Sequence, residues 1–95
     1  MTTYFKPPQP PSDILHKRKI AAWNCATIIP NFDQNVWRWD KFGIPIKWSD
    51  YGNRKSDHGW ELDHIVPLAK GGCDEVHNLQ ALHWRCNAVK SDRFL

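Results

Sequence analysis

The segment ELDHIVPLAKGG, residues 61–72, places an acid and a base side by side. Asp63 and His64 stand between the apolar Leu62 and Ile65, a pattern that predicts a short β-strand. Neighbouring residues of a strand point to opposite faces of the sheet. The pair therefore suits two separate tasks, in which a carboxylate holds a metal ion and an imidazole accepts a proton near neutral pH.

Three polar residues farther along the chain extend this constellation. Asn78 opens the segment NLQALH, and His83 and Asn87 follow it four positions apart. On a helix this spacing puts both side chains on one face, where an imidazole nitrogen and an amide oxygen can share one ion. Together with the Asp63 carboxylate they would leave coordination positions open for water and substrate.

The elements that must position these residues are predicted to be strand, loop, strand and helix. Residues 60–65 and NLQALH predict the strands, and Gly71 and Gly72 give the loop between them the backbone freedom to fold back. The chain from His83 onward predicts a helix. Its 3.6-residue period gives an apolar stripe and, beside it, a polar stripe: Leu82, Cys86 and Val89, then His83, Asn87 and Lys90.

The N-terminal part of the chain divides into a tail and a helix. Residues 1–12 contain the proline-rich KPPQPP and predict an extended tail, so that residues 13–95 form the single domain that a chain of 95 residues allows. A helix is predicted over residues 14–25, with Ser12 or Asp13 as its cap.

A β-hairpin is predicted between this helix and the Asp-His strand. Residues 36–48 alternate in hydrophobicity around a turn near residues 41–43. Pro45 restricts the second strand to a sheet edge because proline has no N–H to donate. The six tryptophans are expected mainly to fill the core. The fold class is therefore α+β.

Charge and cysteine content narrow the class of protein. Residues 1–59 hold nine Lys/Arg against five Asp/Glu, and residues 60–95 hold four against five. The basic surplus thus lies outside the Asp-His segment, and we expect it to grip a polyanion. No signal segment or membrane span is visible, and three widely spaced cysteines argue against a disulfide framework, so a cytoplasmic location is expected.

The segments ELDHIVPLAKGG and NLQALHWRCNAVKSD together resemble the HNH endonuclease superfamily, the ββα-metal nucleases. They follow the pattern E-(L/I/V)-D-H-I-x-P, then G-G, N-L-Q-x-L and N-x-x-K over residues 60–92, about a third of the chain. The resemblance implies a ββα-metal core of two short antiparallel strands and a helix, preceded here by the N-terminal helix and the hairpin. It also implies hydrolysis of DNA phosphodiester bonds to 5′-phosphate and 3′-hydroxyl ends.

The resemblance implies a role for each matching residue. His64 would be the general base that activates water, and Asp63 the metal ligand before it. Asn78 would brace the loop and so orient His64, and Asn87 would be the second metal ligand, a position at which many relatives have histidine.

The chain departs from the family pattern around HWRC. Many relatives have Cys-x-x-Cys there, paired with an upstream Cys-x-x-Cys that holds zinc, whereas this chain has His83 and Cys86 and no upstream pair. His83 is therefore either a third ligand of the catalytic metal or a core or helix-cap histidine. Oxygen ligands favour Mg²⁺ or Mn²⁺, whereas participation of His83 would make Mn²⁺, Ni²⁺ or Zn²⁺ better competitors.

The expected function is metal-dependent cleavage of DNA, most simply double-stranded, with one divalent ion and weak sequence preference. A set of basic residues is expected to contact phosphates: Lys90, Arg85, Lys70, Lys17, Arg18 and Lys19. No membrane partner is expected, and a homodimer is left open. Two alternatives are a non-catalytic ββα nucleic-acid-binding module and a structural zinc module.

Overall fold

The structure, a computed structural model, describes residues 10–90. It contains two helices and five short strands in two antiparallel sheets, which confirms the predicted α+β class. In chain order these are α1 (Pro10–Cys25), β1 (Thr27–Ile28), β2 (Trp37–Trp39), β3 (Pro45–Lys47), β4 (Trp60–His64), β5 (Leu79–His83) and α2 (Trp84–Lys90). Within residues 10–90 no helix is both long and apolar enough to cross a bilayer.

Helix α1 ends at Cys25 as predicted but begins four residues earlier, at Pro10. Proline is compatible with the first turn of a helix, whose N–H groups have no partner within the helix. Ser12 and Asp13 therefore lie inside the first turn and do not precede it, which corrects the predicted cap. The rest of the expected tail, residues 1–9, lies outside the described residues.

The first sheet has the strand order β1-β2-β3. This confirms the predicted hairpin, formed by β2 and β3, and the edge position of β3, in which Pro45 pairs with Trp39. Asp40, 2% exposed, organises the turn, since its Oδ1 accepts the N–H groups of Phe42 and Ile44 at 2.9 Å each. Its Oδ2 accepts the N–H of His83 at 3.0 Å and so joins the hairpin to β5.

Strand β1 was not predicted, because two exposed residues, Thr27 and Ile28, carry no usable periodicity. They pair with Trp39 and Arg38. The Arg38 side chain is buried and donates to the carbonyl oxygens of Gln34 at 3.0 Å and Ala26 at 2.9 Å. These contacts hold the short strand in place.

Aromatic rings form much of the core, as the tryptophan content predicted. Trp23 of α1 packs against Trp60 of β4 with ring centroids 5.3 Å apart, and Trp48 lies 5.5 Å from Trp23 and 5.6 Å from Trp60. Tyr51 meets Trp60 edge-on at 4.9 Å. Trp60 is fully buried. This cluster joins α1 to the β4–β5 hairpin and thereby fixes the strand that carries Asp63 and His64.

The second sheet and α2 form the ββα unit. Strands β4 and β5 pair antiparallel, with Asp63 opposite Gln80 and His64 opposite Leu79. Helix α2 covers the sheet face that carries Asp63, and α1 covers the other. The predicted apolar stripe is wrong for Val89, which is 67% exposed, whereas Lys90 is 1% exposed. The polar stripe of α2 faces β4 because the acids on that strand face give it partners.

Candidate metal and nucleic-acid site

Strand β4 puts Asp63 and His64 on opposite faces, as the strand pattern predicted. The Asp63 carboxylate points toward α2, where it meets Lys90. The His64 ring points to the α1 side, where it meets Asp74 and lines a cavity of about 400 Å³ with Arg18 and Leu15. The two residues stand at the C-terminal end of the strand, with their side chains on its two faces.

His64 is held by a carboxylate. Its Nε2 lies 2.8 Å from Oδ1 of Asp74, and the other oxygen of Asp74 lies 2.7 Å from the guanidinium of Arg18 on α1. The hydrogen bond with His64, and then the charge of Arg18, hold the pKa of Asp74 below its ordinary value, so Asp74 is an acceptor at neutral pH. No described residue bonds to Nδ1 of His64, which leaves that nitrogen available to a substrate or water.

Asp63 is 7% exposed and has two donors. The Lys90 ammonium lies 3.2 Å from Oδ1 and 3.1 Å from Oδ2, and Gln80 donates to Oδ2 at 2.8 Å. The same ammonium donates to the backbone oxygen of His64 at 2.9 Å. A buried cation thus balances the carboxylate and fixes the end of β4. Lys90 therefore does not lie on an open surface, which corrects its expected place among the phosphate-contacting residues.

Asn87 lies one helical turn before Lys90 and faces the same strand. Its Nδ2 donates to Oε1 of Glu61 at 2.8 Å, and within residues 10–90 no group donates to its Oδ1. Glu61 also receives two hydrogen bonds from Arg54, at 2.7 and 2.9 Å. These bonds, mainly those from Arg54, keep the pKa of Glu61 below its ordinary value. The face between β4 and α2 thus presents carboxylate and amide oxygens.

Asn78 braces the loop between β4 and β5. The N–H of Val66 donates to its Oδ1 at 2.9 Å, and its Nδ2 donates to the carbonyl oxygens of Val66 at 3.0 Å and Cys73 at 2.7 Å. Gly72 allows this close approach, since a Cβ there would lie 1.8 Å from the Val66 oxygen. Within residues 10–90 no hydrogen bond joins the Asn78 side chain to His64, so its influence on His64 passes through the loop.

Replacement of Asn78 by alanine should lower the free energy of unfolding by about 1–3 kcal/mol, because it leaves buried backbone groups without partners. Urea denaturation measures this directly. The control is Asn35→Ala, which removes an exposed amide and should change stability by less than about 0.5 kcal/mol. Equal stability of the two variants would contradict the bracing role.

His83 does not join the other candidate ligands. It is the last residue of β5, and it does not lie on the helix that carries Asn87, so the predicted shared helical face does not form. Its Nε2 donates to the backbone carbonyl oxygen of Asp57 at 2.7 Å, and its Nδ1 accepts the backbone N–H of Arg85 at 3.0 Å. His83 is 2% exposed and both of its ring nitrogens are bonded, so it caps α2. This is the second of the two expected alternatives, and it corrects the assignment of His83 as a metal ligand.

The remaining basic candidates differ in their surroundings. Lys17 and Lys70 are exposed, and Arg18 pairs with Asp74. The Lys19 ammonium lies 4.3 Å from the ring centroid of Tyr51 and 5.0 Å from that of Trp48. Arg85 is exposed, 3.1 Å from Asp57. The contact of these side chains with phosphates stays a prediction.

The donor chemistry of the β4–α2 face fits a hard divalent ion. Within residues 10–90 no cluster of three or more His, Cys, Asp and Glu side chains is arranged to hold a metal. Asp63 and Asn87 supply a carboxylate and an amide oxygen. Oδ2 of Asp63 already accepts from Gln80 and Lys90, whereas Oδ1 accepts only from Lys90 and keeps a lone pair. The residues present therefore fit Mg²⁺ better than a metal that prefers nitrogen or sulfur.

The three cysteines lie in different environments, contrary to what a shared zinc site needs. Cys25 and Cys73 are exposed, and Cys86 is half-buried. Burial and then the Asp40 carboxylate raise the pKa of Cys86 to about 11. In iodoacetamide labelling at pH 8 we expect Cys86 to react about a hundredfold more slowly than Cys25 and Cys73, since the thiolate is the reactive form. Three equal rates in the folded protein would contradict this environment.

Sequence reasoning missed two partners of the site, Asp74 and Glu61. Glu61 had a usable signal, since it lies two residues before Asp63 on the same strand face. Asp74 had none, because it lies in a loop, ten residues after His64, and only the folding of that loop brings the two together.

The sequence was compared with models of known protein families, with curated proteins and with solved structures. The sequence model of the HNH endonuclease family matches residues 47–93, about half of the chain. The match includes every residue of the β4–α2 face described above and leaves α1 and the first two strands outside. No curated protein and no solved structure gives a significant match.

Proposed function

Because this chain belongs to the HNH endonuclease superfamily, we propose that it is a metal-dependent endonuclease that hydrolyses DNA phosphodiester bonds. One observation carries the proposal: His64 has one ring nitrogen held by Asp74 and the other without a partner among residues 10–90, at the end of the strand that bears Asp63. This is the arrangement that a general base beside a metal site requires.

Asp63 and Asn87 would hold a divalent ion through their side-chain oxygens. When bound, such an ion would supply positive charge that stabilises the charge developing during phosphodiester hydrolysis. Since His83 is removed from the ligand set, no nitrogen ligand remains to favour Ni²⁺ or Zn²⁺, and Mg²⁺ is proposed with Mn²⁺ as its substitute. Glu61 keeps the Asn87 amide in place through its bond to Nδ2, so that Oδ1 faces away from Glu61.

His64 would act as the general base. With Nε2 directed at the Asp74 carboxylate, the unbonded Nδ1 takes a proton from a water placed in line with the scissile bond. A base of this kind contributes roughly 10²–10⁴-fold to the rate. The brace that Asn78 provides holds the loop bearing Asp74 and thus serves the same alignment.

Double-stranded DNA is the proposed substrate, bound mainly through its phosphates. The exposed Lys17, Lys70 and Arg85 are available for this, and few side chains near His64 are suited to reading base edges. We therefore propose weak sequence preference, with affinity that falls as salt rises.

The alternative is a non-catalytic nucleic-acid-binding module. The observation that favours it is the Lys90 ammonium, which already neutralises Asp63. On that alternative the ββα unit would bind DNA without an ion and without cleavage.

Relaxation of supercoiled plasmid tests the proposal. Wild type with Mg²⁺ or Mn²⁺ should produce nicked circles, EDTA should stop the reaction, and Asn87→Ala should be strongly impaired. Asn35→Ala is the matched control, since it removes an exposed amide far from the ββα unit in sequence. Cleavage that persists in excess EDTA, or an Asn87→Ala variant as active as the control, would contradict the proposed ion site.

A further inference from the structure

The contact between α1 and the loop before β5 has no counterpart in the matched family segment, because Arg18 lies outside residues 47–93. Arg18 binds Oδ2 of Asp74 at 2.7 Å, and Asp74 uses Oδ1 to bind His64 at 2.8 Å. Helix α1, the loop before β5 and strand β4 are thus joined by one series of contacts, which we call the Arg18–Asp74–His64 series.

We infer that Asp74 is a positioning residue for His64, and that Arg18 is a positioning residue for Asp74. This inference rests on the proposed function and deepens it. Asp74 accepts the Nε2 proton, which selects the tautomer whose lone pair is on Nδ1 and limits rotation of the ring. Arg18 holds the second carboxylate oxygen, so the carboxylate of an exposed loop residue keeps one orientation.

The burial of the three groups explains why two contacts are needed. The side chains of Arg18, His64 and Asp74 are 35%, 30% and 50% exposed. A single ion pair at such exposure is weak, and its side chains exchange among rotamers. Asp74 receives a donor on each oxygen, which fixes its carboxylate plane better than either contact alone.

In the Arg18–Asp74–His64 series, Arg18 binds a carboxylate of this chain, which is a different role from binding a DNA phosphate. Lys17 is the neighbouring basic residue on α1; it is exposed and forms no hydrogen bond or ion pair with another residue of the range 13–90. If Arg18 acts on Asp74, it should affect turnover and leave DNA affinity nearly unchanged. If it grips phosphate, it should affect affinity, as Lys17 is expected to do.

The test compares Asp74→Ala, Asp74→Asn, Arg18→Ala and the double variant Arg18→Ala/Asp74→Ala, with Lys17→Ala as the control. Asp74→Ala should lower kcat by about 10–100-fold, by analogy with the loss of partners that orient metal-ligating imidazoles, with the Kd for DNA unchanged. Asp74→Asn should recover part of this loss because its amide oxygen still accepts the Nε2 proton. Arg18→Ala should cause a smaller loss, and none when Asp74 is already alanine.

A second readout does not depend on cleavage. The ring ¹⁵N shifts of His64, assigned with a His64→Gln variant and recorded at the high-pH plateau of those shifts, should report one tautomer in the wild type. In Asp74→Ala they should move toward the values of freely exchanging imidazole, and in Lys17→Ala they should not. If wild type cleaves nothing yet shows this shift, the contact stands and the nuclease proposal fails. Unchanged His64 shifts in Asp74→Ala would overturn the inference, as would equal losses of DNA affinity in Arg18→Ala and Lys17→Ala.

Discussion

His64→Ala should lower the rate of DNA cleavage by roughly 10²–10⁴-fold, the contribution of a positioned general base. The effect should be on kcat, because the ring bears no phosphate contact in the proposal, and the Kd for DNA should stay within about twofold. The fold should survive, since the His64 side chain is 30% exposed and its backbone oxygen still accepts from Lys90.

The matched control is His77→Ala. His77 is an exposed histidine in the loop between β4 and β5. Its Nε2 lies 3.4 Å from Sγ of Cys73, and within residues 10–90 no hydrogen bond joins it to Asp63 or Asn87. It should retain wild-type kcat. Cleavage by His64→Ala at the rate of His77→Ala would remove His64 from the mechanism.

Lys90→Met should lower the free energy of unfolding by about 3–5 kcal/mol, as loss of one partner of a buried ion pair does. The ammonium is 1% exposed, balances Asp63 and satisfies the His64 carbonyl, so its removal leaves a buried charge and a buried oxygen without a donor. Urea denaturation measures the change, provided that the dependence of the unfolding free energy on urea concentration is the same as in the wild type.

A second substitution separates charge from packing. Lys90→Met/Asp63→Asn removes the uncompensated charge while an amide oxygen still accepts from Gln80, so the double variant should be more stable than Lys90→Met alone. Lys17→Met, an exposed change on α1, should leave stability within about 0.5 kcal/mol of wild type. A double variant no more stable than Lys90→Met alone would contradict the role of Lys90 in balancing the Asp63 charge.

The parts of the fold that the sequence predicted are those with a strong local signal. Strands β4 and β5 have alternating apolar residues, and the hairpin has a turn with Gly43, which adopts the left-handed conformation at φ 78°. The end of α1 at Cys25 was also predicted. By contrast, β1 and the early start of α1 depend on tertiary contacts and on proline tolerance in a first turn, which periodicity does not register.

The candidate site was predicted in part for a similar reason. The opposite faces of Asp63 and His64 follow from strand geometry alone, and the brace by Asn78 followed from the family resemblance. His83 was misplaced because the helix begins one residue after it, so that its ring caps α2 and does not lie one turn before Asn87. Lys90 was misplaced because a lysine in a sequence carries no mark of burial, and only the fold shows the carboxylate opposite it.

Cleavage and binding measured on the same supercoiled DNA test the central claim most directly. Purified wild type should convert the plasmid to nicked circles with Mg²⁺ or Mn²⁺, and DNA ligase should reseal them, since the proposed hydrolysis leaves 5′-phosphate and 3′-hydroxyl ends. His64→Ala should bind the same DNA and nick it at least a hundredfold more slowly. If the wild-type protein binds DNA but does not cut it with any divalent ion, the result would contradict the account and favour the non-catalytic module.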